Sequence, residues 1–210
     1  MLLDIFQTGP LDVNTYVLKD EESKEAVLID VGGEFEELKE KLNSEGYEIK
    51  YILNTHGHFD HVLGEAQIQE KYPDLKIYIN KNDERHYTDL TKTLSYWGFG
   101  DEVPSLKPFA SVDETTQLYI GKTQIKVIET PGHSKGSVSY YVDGKLFSGD
   151  ALFYGSIGRT DFIDGDFHEL ITSIKTKLFI LPDDTIVYSG HGPSTTIKTE
   201  KMTNPYLKWT

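Results

Sequence analysis

Apolar residues in the first third of the chain switch between two periods. Residues 13–18 and 25–29 read as strands, the second leading into Asp30-Val31-Gly32-Gly33. Phe35, Leu38 and Leu42 then recur at helical spacing, and Gly46 suits the left-handed position that closes such a helix. Residues 50–54 form a short apolar run of the buried-strand type. Residues 66–72 look helical and stop before Pro73, and 76–79 look like the next strand.

The alternation breaks over 87–112, where Gly98, Gly100, Pro104 and Pro108 punctuate an aromatic group of Tyr96, Trp97 and Phe99. An insertion this long in a compact domain reads as an ordered lid, set against either a substrate or the domain itself. Strands dominate afterwards. Residues 122–129 alternate, and 137–142 and 145–148 flank Asp143-Gly144, a favoured two-residue type I′ turn. Counting outward from that turn sets Val142 opposite Lys145 and Ser137 opposite Asp150, so Asp150 should emerge beside the loop carrying His133. Asp166-Phe167-His168-Glu169 resembles a capping box for a helix to about residue 178, with a strand at 185–189. Neither a repeat of solenoid period nor a low-complexity linker is present, which favours one domain over 1–210.

Composition narrows the partners. The 38% hydrophobic content suffices for a sizeable core, and 34 acidic against 21 basic residues give a net charge of −13. That field repels phosphate backbones and anionic lipid heads, which argues against nucleic acid and membrane surfaces. With no cysteine, any metal must be held by nitrogen and oxygen. The N-terminus has no basic head with an apolar stretch behind it, and no run approaches the roughly 18 apolar residues of a spanning helix. The expectation is a cytoplasmic globular protein.

Chemistry is concentrated in Thr55-His56-Gly57-His58-Phe59-Asp60-His61, which places His56, His58, Asp60 and His61 just after a strand. Surface or core histidines have no reason to adopt such spacing, whereas a cation does. His56 and His58 suit convergence on one cation, with Asp60 and His61 facing a second. His133 in Thr130-Pro131-Gly132-His133-Ser134 and His191 in Ser189-Gly190-His191-Gly192-Pro193 are the candidate third ligands. Asp150, in Ser148-Gly149-Asp150, has two oxygens with which to bridge. His86 and His168 lie in a polar stretch and a helix start, and read as solvated. Asp30 either orients a ligand imidazole or caps the helix near Glu34.

The series His56-x-His58-x-Asp60-His61, His133, Asp150, His191 resembles the metallo-β-lactamase superfamily over essentially the whole chain. The resemblance implies a four-layer αββα sandwich with a two-metal site at one edge. Val13-Asn14-Thr15-Tyr16 and Thr130-Pro131-Gly132-His133-Ser134 look more narrowly like glyoxalase II, the hydroxyacylglutathione hydrolase group. Gly155 to Phe162, His191 to Thr196 and Asn204-Pro205-Tyr206-Leu207 look like its short bacterial members. Hydrolysis of a thioester such as S-lactoylglutathione is therefore implied, by a hydroxide bridging two divalent metals. The metals would be zinc, with iron or manganese as alternatives, and Asp60 would help orient the attacking oxygen.

By the same resemblance Arg159 would grip an anionic part of the carrier thiol, unless it pairs with Asp161 or Asp164. Tyr140 and Tyr141 alternate across a strand, so only one can face the site. Alternation does not say which, and Tyr141 is the candidate substrate contact. Two other readings stand beside this one. Gly-Arg-Thr-Asp-Phe also resembles mononuclear iron persulfide dioxygenases, whose triad would match His56, His133 and Asp150. A non-catalytic metal-binding module is the third. The β-lactamase branch is set aside because its second site uses a cysteine.

Overall fold

The computed structural model describes residues 1–88 and 109–208. Most of the expected lid at 87–112, Trp97 included, lies outside these residues. Among the described residues no helix is long and apolar enough to cross a membrane.

The first sheet runs in chain order: β1 (Leu2–Thr8), β2 (Val13–Lys19), β3 (Glu25–Ile29), β4 (Glu48–Leu53), β5 (Lys76–Ile79) and β6 (Ala110–Ser111). β1 to β3 form an antiparallel meander. From β3 onward the pairs are parallel, and helices make the crossovers from β3 to β4 and from β4 to β5. Helix α1 (Glu36–Glu45) joins β3 to β4 and ends at Gly46 with φ 74°. The short α2 (Phe59–Val62) and then α3 (Glu65–Lys71) join β4 to β5. α4 (Glu84–Thr88) follows β5.

The second sheet contains β7 (Leu118–Ile120), β8 (Thr123–Glu129), β9 (Val138–Val142) and β10 (Lys145–Gly149). Next to β10 come β13 (Ile186–Ser189) and β14 (Thr195–Thr196), while β11 (Leu152–Phe153) and β12 (Ser156–Ile157) form a separate ribbon. Asp143 and Gly144 take φ 49° and 73°, as the type I′ turn requires. Val142 pairs with Lys145 and Tyr140 with Phe147 as counted. Pairing stops short of Ser137 and Asp150, because Gly149 turns left-handed (φ 50°) and the β10 register shifts between Phe147 and Gly149. Val138 N–H goes instead to Thr55 O, at 2.7 Å. Asp150 still arrives beside His133.

Helices cover the outer faces of both sheets, giving the αββα order. Tyr16, Leu18, Val27, Ile29 and Leu53 from the first sheet meet Val127, Tyr140, Val142 and Phe147 from the second. The outward residues of the first sheet, Leu28, Ile52 and Ile77, pack under Leu38, Leu42 and Ile68 of α1 and α3. Leu146 and Val187 do the same under α5 (Phe167–Ser173) and α6 (Ile197–Thr203). Strands buried on both faces explain why β3 reads as continuous apolar sequence rather than alternation.

Only the N-cap half of the expected capping box forms: Asp166 accepts the Glu169 N–H at 3.0 Å, while its own N–H goes to Gly132 O at 2.8 Å. The helix it opens is α only to Ser173 and then π-helical over Ile174–Leu178, a wider turn in which Leu170, Ile174 and Leu178 all stay in the core cluster.

Candidate metal centre

Every predicted ligand follows the end of a strand, on a loop or in the short helix α2, along one edge of the sandwich. His56 and His58 leave β4, and Asp60 and His61 begin α2. His133 lies between β8 and β9, Asp150 follows β10, and His191 follows β13. The sequence separates these residues by more than 130 positions, and the fold brings all seven together.

Three donor groups emerge: His56, His58 and His133; His56, His61 and Asp150; and Asp60, His61 and His191. Within each, the ligand atoms lie within 4.8 Å of one another. His58 Nδ1 stands 3.0 Å from His56 Nε2 and 2.9 Å from His133 Nε2. One proton on His58 can serve only one of those neighbours, so three facing lone pairs suit a shared cation better than hydrogen bonds. Asp150 reaches both sides, with Oδ2 3.6 Å from His133 Nε2 and Oδ1 3.4 Å from His61 Nε2. Asp60 Oδ2 lies 3.2 Å from His191 Nε2. His61 Nε2 and Asp150 Oδ1 are buried with no hydrogen-bond partner. An orphaned imidazole nitrogen facing an orphaned carboxylate oxygen is the arrangement expected around a divalent ion, and the donor set fits one.

The outward nitrogens are anchored so that the inward ones keep their lone pairs. His133 Nδ1 donates to Arg159 O at 2.7 Å, and His61 Nδ1 donates to Asp30 Oδ2 at 3.0 Å. Asp30 also accepts from Thr55 N–H and from the Thr55 hydroxyl, both at 2.7 Å, and that hydroxyl lies 3.1 Å from His56 Nδ1. Asp30 therefore orients ligand imidazoles. The cap of α1 falls at Phe35 instead, with no side-chain bond.

Electrostatics divides the cluster in two. Burial, then the neighbouring imidazoles, pushes His56 well below its ordinary value. Burial with His133 and His86 pushes His58 down to about 3. Burial also disfavours the His61 and His191 cations, but Asp60 and Asp150 outweigh it and raise both. Burial opposes ionisation of Asp60 and Asp150 too, and the adjacent His61 and His191 win, holding both carboxyls below the usual range. The result is neutral His56 and His58 on one side and, on the other, ionised Asp60 and Asp150 beside His61 and His191, whose protons a divalent ion would displace on binding.

Several residues the sequence reading missed hold the loops in place. Asp83 is fully buried. It accepts from Gly57 N–H at 2.9 Å, Ser134 Oγ at 2.7 Å and Gly136 N–H at 2.6 Å, tying the His56–His58 loop to the His133 loop. Nothing in its polar neighbourhood signals this. Asn14 donates through Nδ2 to Ser189 O and Gly192 O, at 3.0 and 2.9 Å, and the Tyr16 hydroxyl donates to Ser189 O at 2.5 Å. The Val13–Tyr16 motif therefore clamps the His191 loop. Phe162 lies edge-on to His58 and His133, at 5.1 and 5.6 Å between centroids.

Two expectations change, for His86 and Tyr141, and Arg159 takes one of its two alternatives. His86 is not simply solvated: its ring meets His58 at 5.0 Å and its Nε2 lies 3.1 Å from Asp164 Oδ2. Tyr141 is not brought to the centre. It packs with Phe179 and Leu181 on the helix-facing cluster, while Tyr140 is buried between the sheets and donates to Asn54 O at 2.7 Å. Alternation across β9 turns each ring toward a packing layer. The Arg159 guanidinium makes a two-pronged pair with Asp161, at 2.9 and 2.8 Å, in an exposed position. His168 is exposed, as expected.

Comparison with known proteins agrees with this geometry. The family model described as metallo-beta-lactamase superfamily matches residues 8–191. A probable metallo-hydrolase, YqgX of Bacillus subtilis, is 39% identical over 201 residues, covering 95% of this chain and 94% of that protein. Hydroxyacylglutathione hydrolase GloC of Haemophilus influenzae is 35% identical over 210 residues, covering 99% and 98%. Among solved structures, the BLEG-1 B3 metallo-beta-lactamase superposes with a TM-score of 0.89 at 39% identity, covering 99% of this chain and 100% of that one. TTHA1623 in a di-iron-bound form gives 0.87 at 38% identity, covering 97% and 100%. The chain belongs to the metallo-β-lactamase superfamily and is a metal-dependent hydrolase.

Proposed function

We propose that this protein hydrolyses an acyl thioester, of the S-lactoylglutathione type, at a centre of two divalent cations. The observation that carries the two-cation reading is the reach of Asp150 to both His133 and His61. A relative named hydroxyacylglutathione hydrolase at 35% identity supports the thioester. His56, His58 and His133 would hold one cation, Asp60, His61 and His191 the other, and Asp150 both. Such a pair supplies Lewis acidity toward a carbonyl oxygen and a water that ionises near pH ~7.

The chain's own groups do the rest. Asp30 and the Arg159 carbonyl fix the imidazole tautomers, so no ligand ring must turn during turnover. Phe162 walls the His58–His133 side and keeps bulk water from it. Arg159 is the candidate grip for an anionic carrier, exchanging Asp161 for the incoming carboxylate, since guanidinium forks serve both uses. Zinc is the proposed native metal, and iron stands beside it because a 38% identical structure is di-iron-bound.

A β-lactam is the second reading, favoured by the superposition on a B3 enzyme. The complete Asp60–His61–His191 group speaks against a mononuclear persulfide dioxygenase. The test is a parallel assay of thioester loss, β-lactam loss and oxygen uptake with a persulfide, alongside metal counting. Asp60→Ala and His191→Ala are each expected to abolish thioester turnover as stoichiometry falls from two cations toward one. Full turnover with one cation bound overturns the two-cation reading. Oxygen uptake in place of hydrolysis overturns the hydrolytic one.

A further inference from the structure

Glu65 is a fully buried acid that the chemistry above leaves unused. It opens α3, four positions after His61. Neither of its oxygens has a partner at hydrogen-bond geometry, and the same holds for both polar atoms of the Asn54 side chain and for the Tyr87 hydroxyl. The groups acting on the Glu65 carboxyl are Asn54 at the end of β4, Tyr87 on α4 and, through space, Asp30 at the end of β3. Gln69, on the same helix as Glu65, acts on Tyr87. There is no cation among them.

Counting donors decides the charge state. An ionised carboxylate only accepts, so it can serve the Asn54 amide N–H and the Tyr87 hydroxyl while Asn54 Oδ1 lacks a donor. A neutral carboxylic acid donates its O–H to Asn54 Oδ1 and accepts from Asn54 Nδ2, a reciprocal acid–amide pair. Tyr87 then donates to a remaining lone pair. Burial moves the carboxyl the same way, up from 4.5 to about 8, with Asp30 adding to the rise and Asn54 and Tyr87 opposing it.

The location gives the pair a task. Asn54 stands two residues before His56, and its main chain is held by Tyr78 O and the Tyr140 hydroxyl. Tyr87 follows His86, whose ring meets His58, and Tyr87 packs with Phe59 and Val62 of the ligand-bearing α2. Glu65 thus lies within the influence of the segment entering the metal loop and of the segment that lies against it, while its own helix follows that loop.

We propose that Glu65 is a positioning residue for the metal loop and works as an uncharged acid, paired reciprocally with the Asn54 amide and closed by Tyr87. This rests on the metal-centre reading only in that the loop holds cations. The test compares zinc-loaded wild type, Glu65→Gln and Glu65→Ala. Glu65→Gln keeps a neutral amide partner for Asn54 and should hold zinc as wild type does in competition with a chelator. Glu65→Ala should lose roughly tenfold in affinity.

The pH dependence has a definite sign. Between the ordinary value of 4.5 and about 8 the unfolded chain ionises Glu65 and the folded chain does not. Wild type therefore loses stability relative to Glu65→Gln as pH rises through that window, and the gap levels off above it. An infrared band of a protonated carboxyl at neutral pH, removed in Glu65→Gln, is also expected. A stability gap that does not change with pH, absence of that band, or zinc loss in Glu65→Gln overturns the uncharged acid. Unchanged zinc affinity in Glu65→Ala overturns the positioning role. If Glu65→Ala does not fold, the Glu65→Gln comparison and the carboxyl band decide. None of these readouts uses a substrate, so failure of the thioester reading leaves them intact.

Discussion

Asp30 accepts a hydrogen bond from His61 Nδ1 at 3.0 Å while its own backbone is left-handed, at φ 54°. A non-glycine residue in that region costs about 1–2 kcal/mol. The strained turn lets one carboxylate reach both His61 and Thr55. Asp30→Ala should therefore separate stability from metal binding. It relieves no backbone strain, so the chain should be destabilised, and cation affinity should fall about 10- to 100-fold because the His61 ring loses its tautomer lock. Chelator competition on the folded variant reads this. Wild-type affinity in Asp30→Ala would show that the ring is held by packing alone.

How much was legible beforehand follows from where each signal resides. The ligands were readable because a cation imposes residue types at short spacing, and His56 to His61 carry that signature locally. Asp150 beside His133 was readable because one tight turn fixes a register. The supporting residues were not. Asp83 earns its role from amides of Gly57 and Gly136, which have no side-chain signature and lie 26 and 53 positions away. β1 escaped because it is a sheet edge whose Leu2 and Ile5 are exposed, so neither alternation nor an apolar run marks it. Tyr141 was misplaced because period-2 alternation fixes opposite faces without saying what lies beyond each.

Asp83 gives the second prediction. Its three donors are buried, and each left without an acceptor costs about 1–3 kcal/mol. Asp83→Ala should destabilise the chain by more than ~3 kcal/mol in urea unfolding. Asp83→Asn keeps one acceptor oxygen but sets an amide against a backbone N–H, and should fall between. In the asparagine variant, cation loss should begin at the group shared by His58 and His133, because the tie between their loops is the one weakened. A cobalt spectrum that changes at both sites equally would contradict this.

A third prediction concerns pH far from the centre. Lys19 is buried, with Nζ 2.6 Å from Asp4 and 2.5 Å from Glu45. Burial disfavours its cation, but the two carboxylates outweigh it and raise its pKa above 10.5. The stabilisation is complete below that ordinary value and is lost as pH rises through the raised one. For Asp4 burial again opposes, and Lys19 and Lys41 hold its carboxyl below 3.8, so its contribution is present above that value and disappears as pH falls through the lowered one. Lys19→Met should cost about 1–2 kcal/mol at neutral pH. It should also flatten the alkaline fall in melting temperature that wild type shows, and an unchanged alkaline limb would contradict the assignment.

Gly190 makes the sharpest steric prediction. A Cβ there would collide with Asp150 Oδ1 and come within 2.7 Å of His61 Cε1, the atoms flanking the gap between the two donor groups. Its backbone is otherwise unremarkable in φ, so alanine fits the chain but not the centre. Asp150 cannot retreat freely, because Gly190 N–H is bonded to Gly149 O at 2.8 Å and Asn14 N–H to Gly190 O at 2.7 Å, fixing the two loops relative to each other. Gly190→Ala should therefore fold, with the melting temperature of the metal-free protein changed by only a few degrees. Bound cation should drop from two equivalents toward one, since Asp150 is pushed off the position that serves both. Two tightly bound equivalents in Gly190→Ala would mean that the loops adjust and that Asp150 does not bridge from this position.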